Sequence, residues 1–535
     1  MRANYAEIWR KVAQELPDRI AIVAGPATFT YAEYDRLASK LASLYLDRGL
    51  KRGSKIAILM YNRAEYLVAL YAAFKIGAAP VTLNYRYRAT EVSDLLKDCG
   101  ADALVYPASL TSTVVGVAQL MALPPLVIMV EDGDEPSGEQ TPDGVVHFND
   151  LVDYEEFSEE SLGADDELLL YTGGTTGRPK AVVWTLEELL DVQTFSIFGV
   201  LDLPVPTTVD EAVELVASGQ IPSTVVLPLA PFMHGTALFN AMNTFVLGGT
   251  LVVLPTPKYD PHQAVKVMLE ERVTRLIVAG DAVVLPLLDE MDAENLPALP
   301  DLQLVISSGM RLSDDAKLRI HALGDITVSD FLASTEGGPY AISSTRAGTD
   351  LPSQFRLTTG AVVLDESMRE VQDEIGAVGV LGYRGTLPKG YFNDPEKTRA
   401  TYPELGGIRH VIPGDLVRVQ GDGVIELLGR GSSVVNSGGE KVYPAEVEEA
   451  LMSHFAVNDA VVFGIADSRW GELVAAVVAT EDPQMVSEQE LVSHVGTILA
   501  GYKKPKSILI LPSLERSPSG KVDIPAMKKR MAERP

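Results

Sequence analysis

Cysteine is all but absent. Cys99 is the single one in 535 residues, which excludes an intramolecular disulfide framework and a cysteine metal cluster. Basic charge is in deficit: 45 Lys and Arg stand against 73 Asp and Glu, a formal net charge of −28. A bulk acidic surface repels nucleic acid, so no nucleic-acid partner is expected. Local basic pockets for phosphate remain compatible with it. Long apolar runs are lacking too. None approaches the ~20 residues of a membrane span. The opening Met1-Arg-Ala-Asn-Tyr-Ala-Glu-Ile-Trp-Arg lacks the apolar core of a signal peptide. These absences lead us to expect a cytoplasmic protein without a transmembrane segment. What the chain does have is ample apolar side chain, 46% of residues, and a length that needs two or more domains.

One stretch organises the rest. Tyr171-Thr172-Gly173-Gly174-Thr175-Thr176-Gly177-Arg178-Pro179-Lys180 follows an acidic, strand-like lead from Asp165 to Leu170. Glycines permit a sharp turn and a close backbone approach to a ligand. Threonine hydroxyls and exposed amides donate to phosphate oxygens, and Lys180 adds a point charge. The stretch reads as a loop that wraps a polyphosphate. On composition alone, a flexible surface loop is an equal alternative. It is not the common P-loop, because Arg178 and Pro179 stand between Gly177 and Lys180.

Around this stretch, helix and strand alternate. The spacing of Ile8, Trp9, Val12 and Leu16 predicts a helix. Thr30 and Glu33 form a capping box for a helix running to Leu46. Strands at 55–60 and 79–83 flank a helix at 64–76, and strands at 224–229, 250–254, 275–278, 302–307 and 326–331 continue the rhythm. Such βαβ alternation predicts a parallel sheet covered by helices. Residues 131–144 read as a solvated connection. The 203–222 segment reads as an insertion or lid edge, its helix capped by Thr208 and Glu211. Near the C-terminus the pattern gives a helix from Pro444 to Phe455, then a strand from Asp459 and another ending at Ala479.

Some residues at strand ends invite a chemical reading beside a plain one. Phe232 and Met233 suit a core, or the wall of an apolar substrate site. A lone His234 is commonly structural. Gly309 is explained by a turn, and Thr335-Glu336 taken alone by an ordinary helix start. The basic tail ending in Lys521 is, on charge alone, a solvated segment.

Taken together, the motifs resemble the acyl-adenylate-forming superfamily: acyl-CoA synthetases, peptide-synthetase adenylation domains and luciferases. Its phosphate loop reads Tyr-Thr-Ser-Gly-Thr-Thr-Gly-x-Pro-Lys-Gly. Here Gly173 replaces the serine and Ala181 the last glycine, both small. Thr335-Glu336 matches the end of Tyr-Gly-x-Thr-Glu, with Leu332 where a tyrosine usually stacks on adenine. Gly414-Asp415 matches Thr-Gly-Asp, with Pro413 for the threonine. Gly429-Arg430, Gly438-Gly439-Glu440, Pro444 and Glu446-Val447-Glu448 match the hinge region in register. Arg516-Ser-Pro-Ser-Gly-Lys521 matches the tail Arg-Thr-x-Ser-Gly-Lys. The Gly-Gly-Ala-Pro-Leu adenine platform is matched only at Gly309 and Leu312. The resemblance covers essentially the whole chain, most strongly at 171–180, 429–448 and 516–521.

The resemblance implies an α/β fold. Residues 1–429 would form a large N-terminal domain of helix-covered sheets, and 430–535 a small mobile α+β domain, hinged near Ser432. It implies ATP, Mg²⁺ and CoA. Thr172, Gly173, Gly174, Thr175, Thr176, Gly177 and Lys180 would hold the β and γ phosphates. Gly309 and Asp330 would meet adenine, Asp415 the ribose hydroxyls, and Arg430 ribose or phosphate. Thr335 would touch the α-phosphate, and Glu336 would anchor Mg²⁺, for which a single carboxylate suffices beside phosphate and water. Phe232, Met233 and His234 would border the acyl pocket. Lys521 would serve adenylation, with Glu336, Thr335 and Lys180 as its catalytic companions.

The reading is a ligase that makes acyl-AMP from a carboxylic acid and ATP, then acyl-CoA. Gly173-Gly174 with Val182-Val183-Trp184 looks like the branch acting on fatty acids, steroid side chains or related bulky acids. Asp467-Ser-Arg-Trp470-Gly471-Glu472 is typical of members that transfer to a thiol. An amide-forming enzyme with an amine acceptor is the alternative, and a catalytically silent nucleotide-binding scaffold is a second one. The particular acid and the oligomeric state are not legible in the sequence.

Overall fold

The computed structural model describes the chain except residues 2, 134–140, 158–161, 173–178, 202, 255, 257, 297, 311, 431–434, 443, 483–484, 516–521 and 534–535. It divides into two compact units. One holds residues 1–85, 93–171 and 181–429, and the other 86–92, 172–180 and 430–535.

The first unit is built on two large sheets. In the eight-stranded sheet, Lys55–Leu59, Ala79–Leu83, Ala103–Pro107, Leu126–Val130 and Glu167–Thr172 run parallel. These are near-continuous apolar runs, as parallel strands covered on both faces require. The thirteen-stranded sheet has a parallel core of Ile20–Ala24, Thr250–Val253, Val225–Pro228, Arg275–Val278, Leu304–Ser308 and Thr327–Ser334. It then turns antiparallel through Gly337–Thr345 and Phe355–Leu357.

Capping sets where the helices begin. The Asn4 side chain accepts the Ala6 N–H and starts the helix Tyr5–Glu15. The expected capping box of Thr30 and Glu33 is present on Tyr31–Asp47. The first helix buries Ile8, Trp9 and Val12. Trp9 stands edge-on to Tyr71 and Phe245, with ring centroids 5.1 and 5.5 Å away. Its indole N–H donates to the Met242 carbonyl at 3.2 Å. The helix Val209–Ala217 of the 203–222 segment buries Ala212, Val213 and Val216, and Lys11 reaches its Asp210 at 2.6 Å. Part of the expected 131–144 connection lies outside the described residues.

The second unit carries a five-stranded sheet, antiparallel except where Gly471–Ala479 meets Ser507–Leu511. Strand alternation decides its layers. From Asp459–Asp467, Ala460 and Val462 face a core with Val447, Leu451, Leu491 and Val495. Val461 and Phe463 face the opposite core with Met527 and Met531 of the helix Ile524–Ala532. Helices thus cover both faces. Glu446, on the helix Pro444–Met452, pairs with Lys503 at 2.8 Å, and both are buried.

Trp9→Ala should remove about 3–5 kcal/mol, the usual result of emptying a packed aromatic site. Thermal unfolding by circular dichroism checks this. Val152→Ala, at a residue 71% exposed, should leave the midpoint within error.

Candidate active site

Parallel strands deliver their following loops to one edge of a sheet. In open α/β sheets that carboxyl edge is where ligands bind. Val225–Pro228, Arg275–Val278, Leu304–Ser308 and Thr327–Ser334 are consecutive neighbours, all parallel. Their ends lead to Phe232-Met233-His234, to Gly280, to Gly309 and to the run from Asp330 to Glu336. Four segments distant in sequence therefore share one edge.

Asp330 lies on the last of these strands, in register with Ser307. Gly309 follows the neighbouring strand, exposed, with φ near +87°. A side chain there would be strained by that backbone conformation. Asp330 is buried and pairs with Lys317, itself buried, at 3.3 Å. Lys317 also donates to the Ser353 hydroxyl at 2.9 Å. Burial pushes the Asp330 carboxyl up to about 6, and Lys317 limits the rise. Sequence reasoning missed Lys317, which sits thirteen positions before its partner on the helix Asp314–Ala322.

Thr335 and Glu336 do not start a helix. They form the tight turn of a hairpin between Thr327–Ser334 and Gly337–Thr345, with Ser334 opposite Gly337. The outgoing strand pairs back along the incoming one, which consumes the backbone donors a helix would need. Three aromatic donors hold the turn. The Trp184 indole donates to the Thr335 carbonyl at 2.9 Å. The Tyr391 hydroxyl donates to Glu336 Oε1 at 2.8 Å, and the Tyr402 hydroxyl to the Glu336 carbonyl at 3.1 Å. Burial, then the adjacent Glu336 carboxylate, push the Tyr391 phenol far up, so it remains a donor. Among the described residues, nothing donates to Glu336 Oε2. A half-buried carboxylate with one oxygen fixed and the other open fits a hard divalent cation that keeps phosphate and water ligands.

The other expected residues are placed as follows. Phe232 is wholly buried against Tyr66, ring centroids 5.4 Å apart, with its N–H bound by Asn62 at 2.7 Å. Met233 is buried, and His234, half-buried, precedes the helix Gly235–Val246 as its N-cap residue. Leu332 is half-buried on the strand that bears Asp330. Asp415 is buried at the start of Asp415–Gly421, just after Gly414 with φ near +92°. Thr172 ends the strand Glu167–Thr172, and Lys180 begins Lys180–Thr185. The loop residues Gly173, Gly174, Thr175, Thr176 and Gly177, together with Ser432, Lys521 and the Arg430 side chain, lie outside the described residues.

In the second unit, Trp470 is 41% exposed at the turn between Asp459–Asp467 and Gly471–Ala479. Asp467 accepts the Arg469 and Trp470 N–H groups at 2.9 and 2.8 Å and shapes that turn. The ring lies so close to Gly438 that an added Cβ would come within 2.5 Å of it. Glycine at 438 is favoured both by this contact and by a φ near +60°.

The chain matches the AMP-binding enzyme family over residues 9–392 and the AMP-binding enzyme C-terminal domain over 446–521. It belongs to that family, the acyl-adenylate-forming superfamily, in the acyl-CoA synthetase branch. A medium/long-chain-fatty-acid–CoA/3-oxocholest-4-en-26-oate–CoA ligase of Mycolicibacterium smegmatis is 34% identical, covering 100% of this chain and 98% of that protein. Two solved structures share the fold. An o-succinylbenzoate CoA synthetase from Bacillus subtilis has a TM-score of 0.77 at 24% identity, covering 99% and 98% of the two chains. An amide bond synthetase from Marinactinospora thermotolerans has a TM-score of 0.78 at 20% identity, covering 99% of each.

Because Lys317 opposes the rise of Asp330, Lys317→Met should move the Asp330 titration above about 6. A ¹³C titration of labelled aspartate carboxyls checks this. A midpoint unchanged or lowered would contradict the pairing.

Proposed function

We propose that this chain is an AMP-forming acyl-CoA ligase that activates a hydrophobic carboxylic acid with ATP and passes the acyl group to CoA. The observation that carries the reading is the fixed Thr335–Glu336 turn, which follows directly on the strand bearing Asp330 at the carboxyl edge of the parallel sheet.

The first half-reaction needs position and charge rather than a protein nucleophile. An oxygen of the acid attacks the α-phosphorus of ATP. The bond to the bridging oxygen breaks, pyrophosphate leaves, and acyl-AMP forms. Alignment supplies much of the rate, and donors aimed at the phosphate oxygens supply the rest. Asp330 accepts from the adenine amino group over Gly309, and Asp415 from the ribose. Thr172, the 173–177 loop and Lys180 hold the β and γ phosphates, Thr335 contacts the α-phosphate, and Lys521 bridges it to the acid. Glu336 would hold the Mg²⁺ ion, which when bound would supply positive charge for the phosphate oxygens.

In the second half-reaction the small domain rotates about Ser432 and withdraws Lys521. The CoA sulfur attacks the acyl carbonyl, losing its proton to solvent. The bond between the acyl carbon and the phosphate oxygen breaks, the carbonyl re-forms, and AMP leaves. Trp470, exposed beside Gly438, lies in the motif that favours a thiol acceptor over an amine. The fatty-acid and steroid-acid ligase named above supports a bulky apolar acid, and the apolar Phe232-Met233 segment agrees. His234 borders the acid's carboxylate, and Phe232 backs the pocket from the core.

Incubation with ATP, Mg²⁺ and a panel of acids, with and without CoA, tests this by mass spectrometry. AMP and pyrophosphate should appear with long or polycyclic acids, and acyl-CoA only when CoA is added. Acyl-AMP that ignores CoA yet is consumed by amines would instead establish the amide-forming reading. No AMP with any acid would leave the silent scaffold. Lys521→Ala should slow adenylation by about 10²-fold or more, the scale of losing one charge-stabilising donor. Thioester formation from supplied acyl-AMP should persist, and an equal fall in both steps would contradict its assignment.

A further inference from the structure

The Thr335–Glu336 turn is held by side chains that its own strands do not supply. Trp184 reaches it from the strand Lys180–Thr185. Tyr391 reaches it from Gly390–Tyr391, which pairs antiparallel with the Trp184 strand: Tyr391 lies opposite Val182, and Gly390 opposite Val183. Tyr402 comes from the C-terminal end of the helix Pro395–Thr401. One corner of the sheet thus aims three aromatic hydrogen-bond donors at two consecutive residues.

Each donor is itself locked. Trp184 is 2% exposed. The Tyr391 N–H donates to the Thr398 hydroxyl at 2.9 Å, and the Lys397 ammonium sits 4.5 Å from the centre of its ring. Tyr402 packs against Tyr391 with ring centroids 6.2 Å apart, and the Arg409 guanidinium lies 4.6 Å from its centre. The helix that carries Thr398 and Lys397 starts at a fixed point, because Asp394 caps it through the Lys397 N–H. The hairpin itself is paired through its backbone, from Val328 opposite Thr345 to Ser334 opposite Gly337.

We propose that Tyr391 is a positioning residue for the cation site, with Trp184 and Tyr402 as its supports; this rests on the reading of Glu336 as the cation anchor. The bond to Oε1 fixes the carboxylate's rotation and leaves Oε2 to the cation as a single ligand. The two carbonyl bonds fix the height of the turn, so the carboxylate neither swings away nor engages the metal with both oxygens. Partners in this role are commonly worth 10–100-fold in metal affinity. A magnesium ion, which keeps near-ideal octahedral geometry, is sensitive to such misplacement.

Electron paramagnetic resonance of Mn²⁺ with the full-length protein and α,β-methylene-ATP reads the affinity directly. Tyr391→Phe keeps the ring and removes only the hydroxyl. It should weaken Mn²⁺ binding by about 10-fold or more and raise the Mg²⁺ requirement for AMP release by a like factor. The KM for ATP at saturating Mg²⁺ and the thermal midpoint should change little. Trp184→Phe, which removes the bond to Thr335 and also leaves a void where the larger indole packed, should act in the same direction with a smaller size on Mn²⁺ affinity and serves if Tyr391→Phe folds poorly. Wild-type Mn²⁺ affinity in both variants, with Glu336→Gln impaired, overturns the positioning role. Wild-type affinity in Glu336→Gln overturns the anchor assignment, and the proposal with it.

Discussion

Parallel pairing of the strands Val225–Pro228, Arg275–Val278, Leu304–Ser308 and Thr327–Ser334 is the constraint on which the site depends. It forces four loops, separated by helices in the chain, onto one edge. Parallel strands need crossover connections, so the helices Gly235–Val246, Asp281–Ala293 and Asp314–Ala322 are part of the same requirement. The edge then acquires its chemistry where the sheet stops being parallel. The strand Thr327–Ser334 carries Asp330 in its parallel pairing and ends in a hairpin turn that presents Glu336.

Charge is the second constraint. A chain of net charge −28 that binds a nucleoside triphosphate works against its own mean field. Beyond about 8 Å, that field is screened at physiological salt, so the outcome is decided locally. Close to the site, the structure keeps its carboxylates under control. Asp330 is countered by Lys317, and Glu336 has one oxygen engaged by a phenol. Both arrangements remove rotational freedom from a carboxylate.

Much of this was legible in the sequence, for physical reasons that differ by residue. The capping box at Thr30 and Glu33 is a local hydrogen-bond pattern and appears as read. The strand Arg275–Val278 has the bounds its apolar run predicts. Helix-covered parallel sheets follow from alternation and are present, and so is the smaller C-terminal α+β domain that the family resemblance implies. Thr335-Glu336 is harder, because a Thr-Glu pair suits either a helix start or a turn, and the decision falls to the strand that follows. The donors to that turn were not legible. Trp184, Tyr391 and Tyr402 lie 151, 55 and 66 positions from the residues they hold, and no spacing rule reaches so far. Phe232 and Met233 carried two readings in the sequence, and the structure packs both into the core edge beside the candidate site.

The central claim is that a carboxylic acid is activated as an acyl-adenylate on this site before any acceptor arrives. Exchange of radiolabelled pyrophosphate into ATP, run with Mg²⁺ and an apolar acid and with CoA left out, tests it most directly. The account predicts label in ATP only when the acid is present. Acyl-CoA production accompanied by ADP and inorganic phosphate, with no pyrophosphate exchange, would contradict it.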